Sequence, residues 1–270
     1  MIKQSEKTPF NYGITSSARV WGAGLFNIKD IIEIKQSVEG ATLNDVILCI
    51  TSYAVEQYLA KHDTCLQESL IAGMAVDTRA MTEYDTGTNH ATLLSVCVHS
   101  HIKEPLERLI KIHAESELRK ELLAINGADI MRDVLDVAPS GVLNIALKVA
   151  NRFKLLDRQN MGFHYATTNI PGPRTERYLA GSKVVYSFGL APLTGTTGLA
   201  FVISSYCSSL SISFTCCRDS IKDPDFLEQC IYDAFQKVQL ASRSAKPSSK
   251  KKVAAKPVAR KASTAQKTSK

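Results

Sequence analysis

The 270-residue chain contains no apolar run near the ~18 residues needed to span a bilayer. It has no Cys or His spacing suited to a metal ion, and no internal repeat. Each absence removes a class of function. The segment Met1 to Lys7 has no apolar core, which argues against a secretory signal. Seven cysteines, an odd number without such a signal, read as reduced thiols of a cytoplasmic protein that mostly fill its core. Cys216 and Cys217 are adjacent in an expected strand and therefore point to opposite faces. A cysteine nucleophile needs a nearby base, and no sequence neighbour nominates one. The turn Pro192-Leu193-Thr194-Gly195-Thr196-Thr197-Gly198 lacks the Lys and the helix of a phosphate loop and reads as a strand connection. His99-Ser100-His101 sets two imidazoles on one expected strand face, but no third metal ligand accompanies them.

Acidic residues are missing altogether from 241–270, which hold ten Lys/Arg. The other 240 residues carry 23 basic and 26 acidic side chains, so the net charge of +7 belongs to the tail and the body is slightly acidic. The tail is Ala, Ser, Thr, Pro and Lys, a composition that cannot bury enough apolar surface to fold. It has no aromatics for base stacking, so its expected contacts are with phosphate. A solvated tail, an anionic lipid surface and nucleic acid all remain open for it.

At 44% hydrophobic residues over the whole chain, the protein can bury a core, which falls to the body 1–240. Alternation and helical periodicity predict a strand at 17–27, helices at 28–39 and 42–60, and strands at 71–76 and 92–99. A helix at 105–123 and two shorter ones at 128–137 and 141–154 follow. Four strands at 162–169, 182–189, 198–206 and 209–217 precede a last helix at 224–240, opened by Pro224. The helix at 42–60 shows an apolar stripe of Leu43, Ile47, Ile50, Ala54 and Tyr58. The pattern argues for an α/β or α+β fold, a mixed β-sheet flanked by helices.

Two local signals stand out. Tyr165-Ala-Thr-Thr-Asn-Ile-Pro-Gly-Pro173 is an alternating strand that runs into a double-proline turn. Pro171 and Pro173 fix φ, and Gly172 between them is expected to be free for φ > 0. Thr167 and Asn169 then share one face at the strand tip, with His164 on the other. The bland reading is an edge strand with a tight stop. The second signal is Thr42-Leu43-Asn44-Asp45, which reads as a capping box that turns Asp45 inward at a positive helix end.

These blocks carry a resemblance. Thr168-Asn169-Ile170-Pro171-Gly172-Pro173 with Tyr178-Leu179-Ala180-Gly181 resembles the Ser-Asn-Val-Pro-Gly-Pro…Tyr-Leu-Ala-Gly block of the bacterial wax ester synthase/diacylglycerol acyltransferase family. Ala41-Thr42-Leu43-Asn44-Asp45-Val46-Ile47-Leu48 is similar to that family's Ala-Thr-x-Asn-Asp-Val-x-Leu motif. Gly189–Pro192, Ser205-Tyr206 and Arg218-Asp219 match its closing strands. The match covers roughly residues 8–238 and only the family's C-terminal half.

The resemblance implies one lobe of the chloramphenicol-acetyltransferase-like and condensation-domain fold. It also implies transfer of a fatty acyl group from acyl-CoA, a co-substrate rather than a bound cofactor, to diacylglycerol or a long-chain alcohol. Asn44, Asp45, Thr167, Thr168 and Asn169 are the implied channel or oxyanion residues. The family's base lies in a His-His-x-x-x-Asp-Gly motif, and none of His62, His90, His99, His101, His113 and His164 stands in one. The implied partner is a separate N-terminal lobe, or a second copy of the chain. A lobe without its base could instead be a lipid- or acyl-CoA-binding scaffold. Where the family has Pro-Val-Ser-x-Arg, this chain has Met74-Ala75-Val76-Asp77-Thr78-Arg79.

Overall fold

The last strand explains the two-layer design. In Ser-Leu-Ser-Ile-Ser-Phe-Thr-Cys-Cys (209–217), alternate residues point to opposite faces. Leu210, Ile212, Phe214 and Cys216 enter the main core, while Ser211, Ser213 and Thr215 face the other way. The computed structural model describes residues 5–11, 16–64, 66–77, 91–126, 162–193 and 197–245. Within them a six-stranded mixed sheet has the order β1-β8-β7-β4-β2-β3. The strands are β1 (Arg19–Asn27), β2 (Ile71–Asp77), β3 (Ala91–Cys97), β4 (Tyr165–Ile170), β7 (Leu199–Tyr206) and β8 (Ser209–Cys217). β2, β4 and β7 run parallel, and the other neighbours pair antiparallel.

Helices α1 (Ile28–Gln36), α2 (Leu43–Lys61), α3 (Pro105–Asn126) and α4 (Pro224–Ser244) pack on one face of the sheet. The central helix α2 departs from the single stripe its sequence suggested, because thirteen of its nineteen residues are buried. It lies against the sheet with the other three helices around it. The hydroxyls of Thr51 and Ser52 survive burial by donating back to the carbonyls of Ile47 (2.9 Å) and Cys49 (2.7 Å).

Two helix ends shift for identifiable reasons. α1 stops at Gln36 rather than 39, because the Ser37 hydroxyl and backbone N–H both donate to the Ile34 carbonyl. Gly40 then turns the chain at φ +79°. α4 continues to Ser244, four residues beyond the expected end. Ser242 is buried there, and the Arg243 guanidinium donates to Glu33 of α1 at 3.0 Å. The expected helices at 128–137 and 141–154, and the tail from 246 onward, lie outside the described residues.

The strand expected at 182–189 does not join the sheet. A short hairpin of β5 (Tyr178–Leu179) and β6 (Ser182–Lys183) forms instead. Residues 184–193 then cross the face opposite the four described helices as a strap. The backbone groups of β8 are already paired with β1 and β7, so only its side chains are left to hold the strap. Ser211 Oγ donates to the Ser187 carbonyl (2.9 Å) and Ser213 Oγ to the Gly189 carbonyl (2.7 Å), while Thr215 Oγ1 accepts from Ala191 N–H (3.3 Å).

Gly172 serves a different purpose from the one its flanking prolines suggested. It is not among the positive-φ residues. A Cβ at this position would lie 1.8 Å from the Ser205 carbonyl oxygen of β7. The glycine is required because two backbones meet here. Gly172→Ala is therefore expected to destabilise the fold by about 3 kcal/mol through overpacking, measurable as a lower urea midpoint. An unchanged midpoint would show that the Pro171–Pro173 turn can move off β7 at little cost.

A buried cation anchors α3 to α2. Arg108 is fully buried and donates to the Ile102 carbonyl (2.7 Å), Ser52 Oγ (3.1 Å), Glu56 Oε2 (2.8 Å) and the Ser100 carbonyl (2.7 Å). Its guanidinium lies 3.5 Å over the centre of the Tyr53 ring. Lys103 also pairs with Glu56. Nothing in the amphipathic pattern of α3 sets Arg108 apart from its charged neighbours.

Candidate functional site

The start of α2 is built as a cap. Thr42 Oγ1 accepts the Asp45 N–H (3.3 Å), and Asp45 Oδ2 accepts the Thr42 N–H (2.8 Å) and hydroxyl (2.9 Å). Such a pair satisfies two of the helix's orphan donors and sets negative charge at its positive end. Asp45 is thereby turned inward and is fully buried. Asn44, one residue earlier, is left at the rim. Its Oδ1 accepts a hydrogen bond from Asn169 Nδ2 at 2.9 Å.

Asn169 reaches this position because β4 ends there. Gly172 N–H donates to Ser205 Oγ (3.0 Å) and Cys207 N–H to the Pro173 carbonyl (3.0 Å), which ties the turn to β7. The tips of β4, β2 and β7 lie at the carboxyl end of the parallel part of the sheet, where open α/β sheets place their ligands. Asn44, Ile47, Leu48, Met74, Ala75, Thr167, Thr168, Asn169 and Ile203 line a crevice there. About 10 Å³ is open inside it, room for a single water centre.

The structure brings Asn44, Thr167, Thr168 and Asn169 to this crevice and leaves Asp45 behind it. Thr167 is buried, and its hydroxyl donates to the Gly73 carbonyl of β2 (3.3 Å), a strand-to-strand bond. Thr168 and Asn169 are half-buried. The two side-chain N–H donors of Asn44 have no acceptor among the described residues. They are the polar hydrogens best placed to face a ligand at the rim.

Among the described residues no histidine lines the crevice. His164 is buried; its Nδ1 accepts from Ile71 N–H (2.9 Å) and its backbone N–H donates to the Ile71 carbonyl (2.8 Å). Burial lowers its pKa and favours the neutral ring. It is a structural histidine. His99 and His101 do not share a strand face, because β3 ends at Cys97 and His99 takes φ +48° in the turn beyond it. Among the described residues no group of His, Cys, Asp or Glu could hold a metal ion. Burial pushes the Cys49, Cys216 and Cys230 thiols up to about 12, far from a thiolate nucleophile. Cys216 and Cys217 face opposite sides of β8, one in the main core and one under the strap. Asp77 is the last residue of β2, and Thr78 and Arg79 lie outside the described residues.

Sequence reasoning missed His113. It sits midway along α3, 68 residues from Asp45, yet its Nδ1 lies 2.9 Å from Asp45 Oδ2. No local spacing signals that contact. A roomier recess of about 360 Å³ lies elsewhere, between the end of α2 and the turn at 100–103. It is lined by mixed charges and hydroxyls such as Glu56, Ser69, Ser100 and Lys103, and shares no residue with the crevice.

The chain is similar to known proteins. Over 92% of its length the chain is 25% identical to the probable diacylglycerol O-acyltransferase Tgs4 of Mycobacterium tuberculosis, covering 50% of that protein. A putative diacylglycerol O-acyltransferase of the same organism is also 25% identical, over 80% of this chain and 42% of its own. The chain thus spans about half the length, or less, of these curated relatives.

The wax ester synthase/diacylglycerol acyltransferase from Marinobacter aquaeolei VT8 shares the fold with a TM-score of 0.65 at 20% identity. That match covers 88% of this chain and 53% of the other. The X-domain from teicoplanin biosynthesis shares it with a TM-score of 0.51 at 13% identity, over 90% of this chain and 52% of the other. The profile of the WS/DGAT C-terminal domain matches residues 87–239, and the chain belongs to that family of wax ester synthase/diacylglycerol acyltransferase C-terminal domains.

Proposed function

We propose that this chain is the C-terminal lobe of an acyl-CoA-dependent O-acyltransferase whose acceptor is diacylglycerol or a long-chain alcohol. The observation that carries the reading is the Asn44–Asn169 pair. It is held rigidly at the carboxyl end of the parallel strands, in a chain of this family. In acyl transfer, the alcohol oxygen attacks the thioester carbonyl and the CoA thiolate leaves. The carbonyl oxygen carries negative charge in between, and preoriented N–H donors stabilise it. The Asn44 amide, aimed by Asn169, supplies such donors. The base that removes the alcohol proton comes from a separate N-terminal lobe, since no histidine of this chain stands in a His-His-x-x-x-Asp-Gly motif and none of the described ones lines the crevice. Closing the two lobes converts a wall into a tunnel, where thioester and alcohol are held together.

An exposed apolar arm supports this pairing. Tyr178, Leu179, Val185, Tyr186, Phe188 and Leu190 are all exposed within thirteen residues. Trp21 of β1 extends the patch, edge-on to Phe188 at 5.4 Å. A contiguous apolar surface of this kind marks an interaction face. Tyr186→Ser combined with Leu190→Ser is expected to weaken binding to the N-terminal lobe at least ~100-fold, the loss of two moderate hot spots. The stability of the isolated chain should stay within about 0.5 kcal/mol of the parent, because both side chains already face solvent. Titration of the labelled lobe, alongside urea unfolding, checks both numbers.

The decisive experiment is co-expression with an N-terminal lobe carrying His-His-x-x-x-Asp-Gly, followed by assay of CoA release with diacylglycerol and with a long-chain alcohol. Release that depends on both chains supports the reading, and release from the partner lobe alone overturns it. The missing histidine also favours a second reading, a lipid- or acyl-CoA-binding protein without catalysis. Acyl-CoA binding by the purified chain with no release in any pairing would select it.

Among the described residues no helix is long and apolar enough to cross a membrane. In either reading three fates stay open for the basic tail: solvation, contact with an anionic lipid surface, or contact with nucleic acid. Deleting 246–270 is expected to abolish cosedimentation with phosphatidylserine vesicles if lipid is the partner, and to leave it unchanged if the tail is merely solvated.

A further inference from the structure

We infer that His113 is a positioning residue for the crevice: through Asp45 it holds the first turn of α2, and with it Asn44, in register with Asn169. The inference rests on the reading of Asn44 as the ligand-facing amide. Asp45 is fully buried, its Oδ2 takes three contacts, and its Oδ1 has no partner among the described residues. A buried carboxylate with one bare oxygen is costly unless donors around the other hold it. Thr42 supplies two of those donors from α2's own cap. The third comes from outside the helix, across 68 residues, from His113 Nδ1. Facing an acceptor-only carboxylate, Nδ1 carries the hydrogen.

The surroundings are shaped for this ring. Gly40 has φ +79°, and a Cβ there would lie 2.8 Å from His113 Nε2, so only glycine leaves the imidazole its place. Loss of the ring donor would leave Asp45 to seek water. That movement would open the cap in which Thr42 N–H and Asp45 Oδ2 are joined. Asn44 lies between those two residues in sequence, so its amide would leave Asn169. The chain of contacts thus runs from α3 through α2's cap to the tip of β4.

The test uses the full chain and the side-chain amide resonances of Asn44 and Asn169, assigned by their loss in Asn44→Ser and Asn169→Ser. His113→Phe keeps the ring's bulk and removes the donor. His113→Asn restores an N–H where Nδ1 stood. With His113→Phe the Asn169 amide pair is expected to move to the position of a solvent-exposed amide. Exchange of the Thr42 N–H should rise about tenfold, the effect of losing one hydrogen bond of ordinary strength. His113→Asn should return both signals to those of the parent. Parent-like signals in the Phe variant would overturn the proposal. Should the Phe variant fail to fold, a folded Asn variant still decides, because a displaced Asn169 amide there contradicts the role. In the two-lobe assay His113→Phe should lower kcat with little change in KM. If the parent pair shows no CoA release, the acyltransferase reading fails while the resonances still judge His113.

Discussion

Alanine at Asn44 is expected to lower kcat of the proposed two-lobe acyltransferase by about 10²–10³-fold, equivalent to about 2.7–4 kcal/mol of transition-state stabilisation. KM should change little, because a donor aimed at the developing oxyanion acts after the substrate is bound. Asn169→Ala should reach a similar loss by a different route. It contributes by fixing Asn44 through the 2.9 Å bond, so the double variant should be hardly worse than either single one. Neither change should cost more than about 1 kcal/mol of stability, the worth of one half-buried hydrogen bond. Single-turnover and steady-state assays on the three variants separate these quantities. Full activity in Asn44→Ala would remove the amide from the mechanism. It would leave the Asn169 amide and the Thr168 hydroxyl as the remaining polar candidates on the crevice wall.

Arg108→Ala is expected to destabilise the fold by about 3–5 kcal/mol, the cost of breaking a buried ion pair by deleting one partner. The loss has three parts. Glu56 keeps a mostly covered carboxylate, with Lys103 still beside it, and the carbonyls of Ser100 and Ile102 lose their donors. The Tyr53 ring also loses the cation stacked on it. Lys103→Ala, at an exposed amine on the same Glu56, should cost no more than about 1 kcal/mol. Urea unfolding of the two variants measures the contrast directly. Equal, small losses would mean that the Arg108 network is solvated and does not join α3 to α2.

Much of the architecture could be read along the chain wherever a local rule decides it. The alternation of β8 assigns its faces, the Thr42–Asp45 spacing assigns a cap, and Pro224 opens the last helix. These signals act over two to four residues, the range over which backbone geometry brings side chains together. They placed Asn44 at a helix start and Asn169 at a strand end, without saying that the two touch. The mistaken strand at 182–189 has the same origin. Its residues suit a strand, yet β8 was already paired on both sides, and only the sheet order reveals that. Gly172 likewise looked like a turn glycine until the backbone of β7 came within reach of it.

By itself, then, the sequence determined the type of each element, its caps, the family's motifs and the absence of the base motif. Those properties depend on neighbours a few bonds away. Only the tertiary structure decided that Asn44 meets Asn169 over 125 residues, that His113 reaches Asp45 over 68, and that Arg108 is buried rather than solvated. Such contacts depend on which elements the shared core forces together. Packing the apolar faces of α2 and α3 on the sheet settles that, and polar side chains carry no mark of it in one dimension.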